Sequence, residues 1–219
     1  MPVTITPCTH EMVIIHRVFR REAALLPRLV DEVRAGDRAR CARLTAAVRE
    51  YAGALHHHHC LEDELIWPKL RRRARLYDEL IARMEEQHER LGKTLIAVDE
   101  ALPPWEEKAG ADQRAALVER LHDHRAALLE HLCDEETQVL PLVADHLTLE
   151  EWDEVRRRGL ETIPRDKVML ALGAILEEAT PEEEQYFLGK VPLPGRVLWR
   201  LVGRRQYRRH VTELRGPGA

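Results

Sequence analysis

Long amphipathic repeats constrain the fold of this chain more than any other feature of its sequence. In the first two thirds, apolar residues recur at alternating spacings of three and four, the periodicity of a helix that buries one face. A charged fraction of 33% and an aromatic fraction of 5% also favour helices over sheet. We therefore predict an all-α protein that begins with an up-down four-helix bundle. The expected helices are residues 9–35, 38–67, 74–102 (which stops at Pro103-Pro104) and 112–146.

Shorter helices are expected after residue 146. Thr148 with Glu151 and Thr180 with Glu183 both fit the capping box that begins a helix. We therefore divide the chain into a bundle domain, 1–146, and a helical C-terminal extension, 147–219. The extension is expected to pack on the bundle or to form the interface of a homodimer.

The end of this extension is basic. From residue 190 onward there are eight Lys and Arg against one acid, although the net charge of the whole chain is −4. Segment 196–209 mixes these arginines with apolar residues, and two interpretations stay open. It is an amphipathic helix that docks on the acidic bundle, or a surface for anionic lipid or nucleic acid. No nucleic-acid-binding motif supports a nucleic-acid partner, and we expect none.

In each predicted long helix, the apolar residues at spacings of three and four form a row along the buried face, which we call its seam. Polar residues interrupt the middle of each seam. Burying a carboxylate or an imidazole without a partner is unfavourable, so six such residues on facing seams indicate one shared partner. A metal centre satisfies all six together. The candidate metal ligands are His16, His58, Glu62, His88, His131 and Glu135.

An internal repeat supports this interpretation. His58 and Glu62 recur as His131 and Glu135 at an offset of 73, and His16 recurs as His88 at an offset of 72. A spacing of four residues places His and Glu on one helical face, one turn apart. Two copies of a helix pair therefore predict two metal ions related by a pseudo-twofold axis, with carboxylates near the axis.

The pattern of these ligands resembles the hemerythrin-like (HHE cation-binding) family over residues 9–146. The resemblance implies a four-helix bundle with a non-haem di-iron centre, two irons joined by an oxo or hydroxo bridge and by the glutamates. Imidazole and carboxylate ligands suit iron chemically, but they leave manganese and zinc open.

The sequence departs from the oxygen-carrying members of this family at two positions. These carriers have a second histidine four residues after His88, where this chain has Gly92. In these carriers, the carboxylate ligand that follows the histidine of the fourth helix corresponds to Glu136 of this chain. The apolar seam and the internal repeat instead favour Glu135 as that ligand. His59, about 100° from His58 around the helix, is a candidate additional ligand.

Tyr51 and His124 are candidate catalytic residues. Each lies seven residues before a ligand histidine of the repeat, on nearly the same helical face. One hypothesis is that they partly fill the space that Gly92 leaves, with Tyr51 as a ligand or hydrogen-bond donor and His124 as a proton relay. The alternative is that they are ordinary seam residues that hydrogen bond with each other.

The missing ligand at Gly92 favours a reactive centre over an oxygen carrier. We expect reaction with a small oxidant (peroxide, nitric oxide or oxygen), with peroxide detoxification under oxidative stress as the leading interpretation. The alternative is a protein that binds or senses oxygen, nitric oxide or iron without turnover. No apolar stretch is long enough to span a membrane and no signal peptide is visible, so we expect a cytoplasmic protein.

Overall fold

The computed structural model describes residues 6–216, and within that range all regular secondary structure is helical. The chain divides into two compact units, which meet at the boundary between Leu160 and Glu161. The helices of the first unit are α1 (His10–Asp31), α2 (Arg38–Leu65), α3 (Trp67–Arg73), α4 (Asp78–Lys108), α5 (Ala111–Asp134), α6 (Leu140–His146) and α7 (Leu149–Glu161, whose last residue is past the boundary).

The four long helices α1, α2, α4 and α5 form the framework of the first unit. α1 packs against α2 and α5, and α4 packs against the same two helices. Asp37 caps the start of α2, where its side chain accepts a hydrogen bond from the backbone N–H of Arg40. All-α architecture is confirmed, and each long helix begins within four residues of its predicted start.

The predicted end of the third long helix was wrong. α4 continues through Pro103 and Pro104 to Lys108, and Ala109 then turns into the left-handed region at φ 48°. A proline inside a helix costs about 3 kcal/mol. Burial of Leu102 and Trp105 offsets this cost, since both side chains are 1% exposed. The backbone N–H of Gly36 donates to the carbonyl of Ala109 at 2.8 Å and fixes the turn.

The predicted fourth helix is interrupted once. α5 ends at Asp134, a π-helical turn covers Glu135–Val139, and α6 follows. Pro141 has no N–H to donate to the carbonyl four residues earlier, which favours departure from α geometry here. The repeat-related Pro68 has a similar effect, because α2 ends at Leu65 just before it. Each helix with a His–Glu pair thus leaves α geometry close to its glutamate, at Glu135 itself in one case and three residues after Glu62 in the other.

The first unit extends past residue 146. Trp152 and Val155 of α7 belong to the same buried cluster as Trp67 of α3 and Val143 of α6. Thr148 and Glu151 form the expected reciprocal hydrogen bonds at the start of α7. α7 therefore completes the core at one end of the long helices.

The second unit contains α8 (Val168–Leu176), α9 (Pro181–Lys190), α10 (Leu193–Leu198), a π-helical turn (Trp199–Gly203) and α11 (Arg204–Arg215). The predicted capping box at Thr180 is present. Along residues 6–216, none of the helices combines the length and the apolar character that crossing a bilayer requires.

Candidate metal centre

All six predicted ligands meet in the middle of the four long helices, together with His59. Their donor atoms form two groups, and within each group the atoms lie within 4.8 Å of one another. Glu62 belongs to both groups. The first group is His16, His58, Glu62 and Glu135, and the second is His59, Glu62, His88 and His131.

The two glutamates face both groups. Oε1 of Glu62 lies 3.1 Å from Nε2 of His58, and its Oε2 lies 3.4 Å from Nε2 of His88. Oε2 of Glu135 lies 3.3 Å from Nε2 of His16 and 3.6 Å from Nε2 of His131. Two ligand atoms at right angles on an ion with bonds of about 2.1 Å are about 3 Å apart. The observed spacings are close to this value.

Several buried polar atoms of this cluster have no hydrogen-bond partner within residues 6–216. Such atoms are rare in protein interiors because each loses its hydration without compensation. Here they converge on one place, where a pair of cations would satisfy all of them. The atoms are Nε2 of His59, His88 and His131, both carboxylate oxygens of Glu62, and Oε2 of Glu135.

Outer hydrogen bonds turn three imidazoles so that Nε2 faces the centre. Nδ1 of His16 donates to Glu136 at 2.8 Å, and Arg20 donates to the same oxygen at 2.6 Å. Nδ1 of His88 donates to Asp63 at 2.7 Å, an oxygen that also accepts from Nε1 of Trp67 at 2.8 Å. Such partners fix the ring orientation and raise the basicity of the ligating nitrogen.

A third orienting contact serves His131. Its Nδ1 lies 3.3 Å from Oε1 of Gln87, and the amide nitrogen of Gln87 donates to Asp134 at 3.0 Å. Asp63, Gln87 and Glu136 were not predicted in this role. Each is the immediate neighbour of a predicted ligand in the sequence. Glu136 therefore orients His16 from outside, while Glu135 faces the cluster.

Burial keeps most of the imidazoles neutral, as metal ligation requires. Burial lowers the pKa of His58 to about 4 and the pKa of His131 to about 3. The pKa of His59 is also well below its usual value, chiefly because of burial. Burial acts in the same direction on His88, but Asp63 and Glu62 outweigh it and raise the pKa of His88 to about 9.

The pKa values of the two glutamates are shifted in opposite directions. Burial and the neighbouring Glu62 raise the pKa of Glu135 well above its usual value. Burial would also raise the pKa of Glu62, but His58 and His88 lower it well below that value. A cation beside both carboxylates would favour the ionised form of each, and its binding would release protons from Glu135 and His88.

A cavity opens beside the second group. Its volume is about 380 Å³, and its lining includes His59, His88 and Gly92. A Cβ built on Gly92 meets no atom within 4 Å. Tyr51 and His124, which we expected to fill part of this space, are not among the residues that line the cavity. The absence of a side chain at position 92 leaves open space next to two candidate ligands.

Tyr51 and His124 form a hydrogen-bonded chain of their own. Oγ1 of Thr94 donates to the carbonyl of Leu91, so this hydroxyl accepts from Nδ1 of His124 at 2.8 Å. Nε2 of His124 then accepts from the hydroxyl of Tyr51 at 2.8 Å. Burial lowers the pKa of His124 to about 4, which keeps it neutral, and burial raises the pKa of Tyr51.

The geometry defines a class of protein: a helical bundle whose interior is built to bind cations. A comparison with known families agrees, since the family described as Hemerythrin HHE cation binding domain matches residues 9–143. The chain belongs to this family. No curated protein and no solved structure gives a match to the chain.

Proposed function

We propose that the buried cluster binds two iron ions and that Glu62 bridges them. We also propose that the four long helices form an up-down bundle around the two ions. Support comes from the shared position of Glu62 in both donor groups and from the unpartnered atoms around it. Each ion receives four protein donors, so an ion that prefers six ligands keeps free positions for a small molecule. The match to a cation-binding family supports the same conclusion.

The proposed activity is the breakdown of a small oxidant, with peroxide as the leading substrate. Two bound iron ions would act as Lewis acids and as a redox-active pair. The cavity at Gly92 gives a small molecule access to the side of His59 and His88. The hydroxyl oxygen of Tyr51 lies 2.8 Å from Nε2 of His124, so the proton between these two atoms is held in a fixed position. We propose Tyr51 and His124 as the pair that transfers protons in the reaction.

A second candidate function is reversible binding or sensing of oxygen, nitric oxide or iron without turnover. We base it on the second compact unit, which begins at Glu161. Such an added unit suits a protein that passes on the state of its centre.

One experiment separates the two candidates. Iron-reconstituted protein is mixed with peroxide while evolved oxygen is measured, and Glu62→Gln is the comparison variant. The proposed activity predicts sustained oxygen evolution that Glu62→Gln abolishes together with binding of the second ion. Full iron loading with no turnover, but with a reversible change in absorption on adding oxygen or nitric oxide, would establish the binding protein instead. Equal turnover by Glu62→Gln would contradict the proposed site.

A further inference from the structure

A row of exposed apolar side chains follows the C-terminal helical stretch of the second unit. Leu193 is 66% exposed and Leu201 is 74% exposed, while Val197, Leu198 and Val202 are each about half exposed. All five lie in α10 or in the π-helical turn that follows it. Such a concentration of exposed apolar surface on one short stretch marks a binding surface. We call these five residues the apolar row.

The stretch is held in place by its other side. Trp199, Val211 and Leu214 are buried. Tyr207 packs so closely on α8 that a Cβ at Gly173 would collide with its ring. The stretch is therefore anchored by side chains that do not belong to the apolar row.

Exposed arginines lie among the residues of the apolar row and after them along the chain. The side chains of Arg200, Arg205 and Arg208 are exposed next to the apolar row or within two turns of it. Arg204 pairs with Glu184, and Arg209 donates to Glu213 at 2.7 Å. The surface is thus apolar in its first half and strongly cationic in its second half.

We propose that this surface binds the anionic face of a lipid bilayer. A helix that lies in the plane of the interface buries its apolar side at the boundary of the acyl chains, while its arginines contact anionic headgroups. A twofold dimer through the apolar row would cover its leucines and valines but would offer the arginines no anionic partner. A nucleic acid would match the arginines but would leave the apolar row without a partner.

The test is co-sedimentation of the full chain with vesicles. Vesicles of phosphatidylcholine alone are compared with vesicles that carry about a third phosphatidylglycerol. We expect binding to the anionic vesicles only, and weaker binding when salt is raised from about 0.1 M to about 1 M, because the Debye length shortens. Each arginine near an anionic surface is worth about fivefold in the partition coefficient.

Variants in both halves of the surface sharpen the test. Arg205→Ala is expected to lower the partition coefficient about fivefold, and Leu201→Ser on the order of tenfold. The controls are Leu76→Ser, at a leucine of the first unit that is 97% exposed, and Arg43→Ala, at an exposed arginine of α2. Both controls are expected to bind like the parent protein. Far-ultraviolet circular dichroism verifies that each variant keeps its helical content.

Several outcomes would overturn the proposal. These are no binding to either vesicle, equal binding to neutral and anionic vesicles, or binding that Leu201→Ser and Arg205→Ala leave unchanged. A dimer that Leu201→Ser dissociates, without vesicle binding, would assign the surface to a second copy of the chain. Binding of a polynucleotide without vesicle binding would assign it to nucleic acid.

Discussion

Replacing His59 tests whether the centre has two separate binding sites. His59 is 5% exposed, its Nε2 has no hydrogen-bond partner, and its ring stacks on His88 with centroids 4.3 Å apart. His59→Ala removes one of the four donors of the second group and none of the first. Loss of an outer partner of a metal ligand already costs about 10- to 100-fold in affinity. Loss of a ligand itself is expected to cost at least about 100-fold, or about 2.7 kcal/mol.

The assay is anaerobic titration of the metal-free protein with ferrous iron. The parent protein is expected to take up two equivalents. His59→Ala should take up one equivalent with nearly parental affinity and a second only weakly. The matched control is His57→Ala, since His57 is an exposed histidine of the same helix. If His59→Ala bound two equivalents as tightly as the control, the assignment of the second group would be refuted.

Four further predictions follow from the same geometry. Asp63→Asn weakens the hydrogen bond that orients His88, and it should lower the affinity of the second ion about 10- to 100-fold in the same titration, whereas an unchanged affinity would exclude an orienting role. For His124, whose pKa is lowered from 6.5 to about 4, the unfolded state binds more protons between these values. The stability that neutral His124 contributes is therefore complete above pH 6.5 and is lost as the pH falls towards 4. In urea titrations across this window, the free energy of unfolding of the metal-free parent protein should fall by about 3 kcal/mol more than that of His124→Gln. Tyr51→Phe removes one buried hydrogen bond and should lower the free energy of unfolding by about 1 kcal/mol, and slower peroxide turnover with unchanged iron content would support its proposed role with protons. Gly92→Ala should raise the melting temperature, because the new Cβ meets no atom within 4 Å and alanine is favoured over glycine in a helix by about 1 kcal/mol; a lower melting temperature would show that the space at Gly92 is not open.

Much of the site could be predicted because burial leaves a clear periodic signal. His16 and His88 stand out from otherwise apolar seams, and the repeat relates them to each other. His59 was harder to predict because the apolar pattern of spacings of three and four identifies only one face of each helix. α2 packs against both α1 and α4. Residues about 100° apart on α2 therefore face different neighbours, so His58 joins one donor group and His59 the other.

The errors in the fold have two separate causes. Local rules end a helix at Pro103, but the burial of Trp105 is a tertiary effect that local rules do not contain. The π-helical turn that begins at Glu135 was also not predicted, because hydrogen bonds that span five residues instead of four leave little trace in hydrophobic periodicity. The size of the first unit depends on Trp152, which lies in one buried cluster with residues as distant in the sequence as Met12 and Trp67.

The most direct test of the central claim is a crystal structure of the iron-loaded protein, measured on both sides of the iron absorption edge. Two anomalous peaks are expected in the interior of the four long helices, one on each side of the Glu62 carboxylate. The first peak should contact His16 and His58, and the second should contact His59 and His131. A single peak, or iron bound only at the protein surface, would contradict the central claim.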